Sequence, residues 1–191
     1  MASPTNLLLD ERHRPLVRDI IGSLLSASVQ ADFAVARIRL AAIDLAPAET
    51  GHVRRCRILL GRLDYGELTQ FGAGDRAQRR LSTLLAFLTS GRVEIRSAGM
   101  AEWLPDFSVF RGMEPADDGD GSLQHSTACL MGAHFFSTPP VDGPALTCII
   151  RHAPSVAKAA RRYDELWAHG HDVLPAVLDT IAAMAEHRTG P

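Results

Sequence analysis

Apolar positions recur along this chain with two different periods. From Asp10 to Val29 they fall at Leu16, Val17, Ile20, Ile21, Leu24 and Leu25, a stripe that predicts a helix. Asp10 is placed to cap it, and Pro15 sits near its first turn, where a missing N–H is tolerated. Asp75 to Thr89 predicts a second helix, with Leu81, Leu84, Leu85 and Leu88 inward, Arg76, Arg79 and Arg80 outward, and Gly91 ending it. Short β-leaning runs predict strands at Asp32–Ile38, Arg57–Gly61, Arg92–Arg96, Phe107–Arg111, Ala128–Phe136 and Ala145–Arg151. Arg92–Arg96 alternates strictly, which predicts a strand with one wet face. Val156, Ala160, Tyr163 and Trp167 form one late helical stripe, and Val173, Val177, Ile181 and Met184 another, with Gly170 between them. Strands alternating with helices, then a strand-rich section, predict an α/β fold: a mixed β-sheet flanked by helices. The expectation is a single domain over residues 1–191, with C-terminal helices at about 154–187.

Composition narrows the class without naming it. The 191 residues are 46% hydrophobic and 22% charged, enough to bury a core and unlike a disordered chain. A net charge of −2 gives no overall basic field to draw the chain to nucleic acid; charge alone does not decide whether nucleic acid is a partner. Among its basic residues Lys158 is the sole lysine, so any lysine chemistry falls to it. Cys56, Cys129 and Cys148 are too few and too scattered for a disulfide framework or a metal site, and read as small buried hydrophobes. No apolar run approaches the roughly 20 residues of a membrane span, and the N-terminus lacks a secretory pattern; the expected location is the cytoplasm. Asp117–Gly121 lacks the spacing of a calcium loop and reads as a solvated hairpin loop. His169-Gly170-His171 with Asp172 offers metal-ligand types but reads as a helix junction, and Gly72–Asp75 lacks the lysine of a phosphate loop. No cofactor is expected.

Several phrases, taken in order, resemble a single repeat of the phospholipase D-like superfamily, over roughly Asp10 to His171. Gly91–Arg96 resembles the strand before that family's first active-site segment, and Leu104–Arg111 its His-x-Lys strand. Leu130–Phe135 resembles the segment ending in Gly-Ser-x-Asn. Ala145–Ile150 followed by Tyr163-Asp164-Glu165-Leu166-Trp167 resembles the final strand and helix. In the family the histidine attacks phosphorus while lysine and asparagine hold the phosphate oxygens. Here the resemblance puts Leu104 and Asp106 in the His-x-Lys slot, Gly132-Ala133 in the Gly-Ser slot, and His134 or Phe135 in the asparagine slot. An aspartate in place of the lysine repels phosphate, which implies that the usual phosphodiesterase chemistry is lost.

Two readings follow. In the first, a catalytically degenerate domain serves as a regulatory module that holds a small ligand or a protein partner through Trp103, Asp106, Arg111, His134 and Ser137. In the second, a divergent phosphodiesterase, hydrolase or transferase uses His134 or His125, with Arg111 or Arg96 as the anion holder. A homodimer is expected, because Phe107, Val109, Phe135 and Phe136 would otherwise leave an open apolar face.

Overall fold

The computed structural model describes residues 7–9, 14–37, 52–62, 75–99, 106–115, 122–132 and 147–189. In chain order the elements are β1 (Leu7–Leu9), α1 (Arg14–Ser26), β2 (Gln30–Arg37), β3 (Arg55–Arg62), α2 (Asp75–Leu88), β4 (Val93–Ser97), β5 (Phe107–Pro115), β6 (Ser122–Gly132), β7 (Thr147–Ile150), α3 (Ala153–His169), β8 (His171–Asp172) and α4 (Leu174–Thr189). The strands form one sheet in the order β1-β7-β6-β5-β2-β3-β4-β8. β2, β3 and β4 run parallel, and every other pair is antiparallel. The fold is the α/β arrangement predicted from the alternation of periods: a mixed sheet flanked by helices.

Strand periodicity sorts the side chains onto two faces. Phe33, Val35, Ile58, Leu60, Val93, Ile95, Phe110 and Leu130 make the first face. It is covered by Ile21, Leu24 and Leu25 of α1, Leu81, Leu84 and Leu88 of α2, and Val177 and Ile181 of α4. Ala34, Leu59, Phe107, Val109 and Cys129 make the second face, covered by Val156, Ala160, Tyr163 and Trp167 of α3.

The route of α3 follows from the strand order. It leaves β7 and enters β8, so it must cross from one side of the sheet to the other. Its 17 residues give a length of about 25 Å, close to the roughly 24 Å that separates β7 from β4 over five strand spacings. β8 then adds antiparallel to β4, with Arg96 opposite Asp172, and the chain returns to the first face as α4. At this corner the backbone comes so close to the sheet that a Cβ on Gly170 would stand 2.9 Å from Arg96 Cβ and 3.1 Å from Leu59 Cδ1. Gly170 has an ordinary φ of −74°, so it is the close approach that requires glycine there.

Several expectations are corrected. β1, a three-residue edge strand, was not read from the sequence. The expected helix junction at His171–Asp172 is the edge strand β8. β6 begins at Ser122, six residues before the expected Ala128, so β5 and β6 form a long hairpin reaching Pro115 opposite Ser122; the expected stretch beyond Gly132 lies outside the described residues. Leu85 is only half-buried. The expected wet face of β4 is partly covered, since Arg96 lies over the Trp167 ring. Of the apolar face that suggested a homodimer, Phe107 (4% exposed) and Val109 (0%) are covered beneath α3. Asp10, Trp103, His134, Phe135, Phe136 and Ser137 lie outside the described residues. Among the described residues no helix is long and apolar enough to cross a membrane.

Two measurements test this packing. Leu84→Ala should lower unfolding free energy by about 2–5 kcal/mol in urea titration, the range for a buried leucine, and Leu85→Ala by clearly less. The thiols give a second test. Burial, then the field of Asp32, raises the Cys56 thiol above its ordinary range; burial, then Cys148, pushes Cys129 up to about 12. A raised folded pKa means that the folded chain holds the proton more tightly than the unfolded chain. Stability should therefore be intact below about pH 8.5 and fall as pH rises above it. Cys56 and Cys129 should resist a thiol reagent at pH 8 until denaturant is added, leaving half-buried Cys148 to react first.

Candidate functional site

The second face of the sheet holds charge where hydrocarbon is expected. Asp32, in the middle of β2, is 0% exposed. The parallel register sets Arg57 of β3 directly opposite it, and the antiparallel register sets Arg111 of β5 opposite Gln30, two residues away on the same face. Arg57 donates from Nε to Asp32 Oδ1 at 2.7 Å and from Nη2 to Oδ2 at 2.8 Å. Arg111 Nε donates to Oδ2 at 2.6 Å, and Gln30 Nε2 to Oδ1 at 2.7 Å. These bonds fill the roughly four acceptor positions of a carboxylate. The helix above completes the cluster: Asp164 Oδ1 accepts from Arg57 Nη2 at 2.7 Å and from Arg111 Nη2 at 2.9 Å.

Aromatic rings seal one side of it. Tyr163 and Trp167, four residues apart on α3, stack at 5.9 Å. The Arg57 guanidinium lies 4.9 Å from the first ring centre and 5.3 Å from the second, and Arg96 lies 4.7 Å from Trp167, all within cation–π range. Tyr163 Oη donates to the Arg57 carbonyl at 2.9 Å, and Arg96 Nη1 to the Trp167 carbonyl at 2.9 Å. Burial opposes the charge on Arg57, but the bonds and field of Asp32, helped by Asp164, hold its pKa above the ordinary value. Burial and then Asp32 push the Tyr163 hydroxyl well above its usual range, so it stays protonated as a donor.

The C-terminal ends of β2, β3 and β4 form a second region, the end where parallel sheets commonly bind ligands. Asp106, just before β5, lies here, and its Oδ1 accepts the Ala36 N–H at 2.7 Å. Met131 of β6, opposite Phe107, is 43% exposed, the exposed large apolar side chain among the described residues. A half-open cavity of about 340 Å³ is lined by Ala98, after β4, and by Arg162, Glu165, Leu166 and His169 along one flank of α3.

The structure separates the residues that sequence reasoning grouped. Asp106 and Arg111 stand five residues apart on an extended strand, about 17 Å. Arg111, expected to hold an anion, is bonded to two carboxylates. His125 sits inside β6 opposite Gly112, on the hairpin extension, seven residues or about 23 Å along the strand from Gly132. It is therefore not at the end where Asp106 lies. Among the described residues no cluster of three His, Cys, Asp or Glu is arranged to hold a metal. Sequence reasoning missed Asp32, Arg57 and Asp164. The available signal was a charge of opposite sign inside each of two apolar strand runs, Asp32 and Arg57, which is costly unless the two meet.

No protein-family model and no curated protein sequence matches the chain. Solved structures do. TrmBL2, an archaeal chromatin protein described as having a novel mode of DNA binding, is similar with a TM-score of 0.52 at 10% identity, over 91% of this chain. This chain spans about half of that protein, 55% of its length. Nuc from Salmonella typhimurium, a phospholipase D family member, is similar with a TM-score of 0.50 at 11% identity, over 89% of this chain and 98% of that one. NucT from Helicobacter pylori has a TM-score of 0.48 at 9% identity, over 88% of this chain and 98% of that one. The chain thus has the α/β fold of a single phospholipase D-like repeat.

The ion cluster makes a sharp stability prediction. Asp32→Asn removes the charge that two buried guanidinium groups share, and should cost about 3–5 kcal/mol in denaturant unfolding, as breaking a buried pair does. Asp164→Asn, at a half-exposed carboxylate, should cost on the order of 1 kcal/mol or less.

Proposed function

We propose that this chain is a catalytically degenerate phospholipase D-like domain that works as a regulatory module in the cytoplasm. It binds a small ligand or a protein partner at the C-terminal ends of its parallel strands. The observation that carries this reading is Asp106. It occupies the slot that the resemblance assigns to the phosphate-holding lysine, and its carboxylate bonds the β2 backbone at Ala36. A negative charge fixed there opposes a phosphodiester instead of binding it. The exposed Met131 and the cavity beside Ala98 offer an amphipathic surface at the same end of the sheet. In this reading Trp103, His134 and Ser137 contribute to the ligand contacts.

A DNA-binding role draws only on the name of one structural neighbour. The net charge of −2, and the pairing of Arg55, Arg57 and Arg111 with carboxylates, weigh against it.

Purified protein should show no turnover of bis-p-nitrophenyl phosphate or plasmid DNA, and His134→Ala should change nothing. Turnover that disappears in His134→Ala would replace the binding reading with an enzymatic one.

A further inference from the structure

Arg57 grips Asp32 with Nε and Nη2, Arg111 grips it with Nε, and both turn Nη2 onto one atom, Asp164 Oδ1. Asp164 differs from its partners in exposure: its side chain is 46% exposed, against 0% for Asp32, 8% for Arg57 and 14% for Arg111. Asp32 offsets one of the two guanidinium charges, and its acceptor positions are filled. The second positive charge is offset by a carboxylate that already stands half in water. Two converging guanidinium donors with one surplus positive charge are what binds an anionic oxygen in general.

We propose that Arg57 and Arg111 form an anion-binding site whose occupant in this structure is the chain's own Asp164 carboxylate, and that a small phosphoryl compound displaces it. A phosphoryl group is favoured over a carboxylate for a physical reason. The ligand competes with a tethered carboxylate at high effective concentration, so another carboxylate gains nothing, whereas a phosphate brings up to about two charges and three acceptor oxygens. Displacement leaves the packing of α3 in place. Tyr163 and Trp167 face the sheet, while Asp164 lies about 100° around the helix from Tyr163 and turns toward solvent by side-chain rotation. The cavity beside Ala98 lies on the other flank, so this site is independent of the ligand reading above.

The test follows thermal unfolding and calorimetric titration with inorganic phosphate, against sodium chloride at equal ionic strength. Wild type should bind phosphate weakly but saturably, and Asp164→Ala at least about tenfold more tightly, since the internal competitor is gone. Arg111→Lys added to Asp164→Ala should abolish the gain, because lysine lacks the fork that serves both carboxylate and ligand. Neither Asp164 nor Arg111 belongs to the surface of the proposed function, so the response of phosphate binding to these two variants keeps the result separate from that reading. Glycerol phosphate in parallel assigns the source: tighter binding than inorganic phosphate supports a phosphomonoester, and equal binding supports free phosphate. The proposal is overturned if phosphate does no more than chloride in Asp164→Ala, if wild type and Asp164→Ala bind equally, or if the gain survives Arg111→Lys. Should Asp164→Ala fail to fold by circular dichroism, Asp164→Asn is read in the same way. Failure of both to fold makes Asp164 a structural lock and overturns the proposal.

Discussion

A carboxylate with no access to water stands at the centre of this fold. Moving an ion out of water costs several kcal/mol, and the cost is met only where donors surround it. Asp32 obtains its donors from three places: Gln30 on its own strand, Arg57 on one neighbouring strand and Arg111 on the other. That requirement sets strand register more strongly than hydrophobic contact can. A one-residue slip of β3 against β2 would turn Arg57 to the opposite face, into the hydrocarbon between the sheet and α1, α2 and α4. The same cluster holds α3, through Asp164 and through the Tyr163 hydroxyl on the Arg57 carbonyl.

The two faces of the sheet are therefore built on different principles. The first is closed by three helices and mostly apolar side chains; the Ser108 hydroxyl is buried there with no hydrogen-bond partner among the described residues. The second is closed by a single helix, which must cover the width of the sheet and bury arginines as well as hydrocarbon. Stacking Tyr163 and Trp167 against guanidinium planes meets both demands, because an aromatic face is apolar in area yet attracts cations. The crossing succeeds only if the end of the helix settles close to β3 and β4, which is why glycine occupies position 170 and why the chain can turn at once into β8.

The fold also separates two regions that carry different chemistry. The ends of the parallel strands present Asp106, Met131 and the cavity on one flank of α3. The paired arginines open toward the other flank, near the β5–β6 hairpin. A fold shared with phospholipase D-like proteins says nothing by itself about which region is used, since function resides in sites and not in architecture.

Periodicity alone determined the layered α/β class, the inner stripe Leu81, Leu84 and Leu88 of α2, and the buried stripe Val156, Ala160, Tyr163 and Trp167, because helix and strand periods differ enough to be read from apolar spacing. Short edge strands escaped it: three residues of β1 and two of β8 contain no measurable period, and pairing with β7 and β4 creates them. The extent of the hairpin escaped as well, since Ser122 to Thr127 has no apolar alternation and is strand only because β5 lies alongside. The site was legible in its residue types and not in its geometry. Arg111 and Asp106 were visible as charges near a strand, but whether an arginine is open to a ligand depends on what stands across the sheet. Asp32 and Asp164 are separated by 25 and 107 residues from Arg57, an arginine they share. Sequence spacing has no means of expressing such a meeting; only the order of strands and the path of one helix across them brings it about.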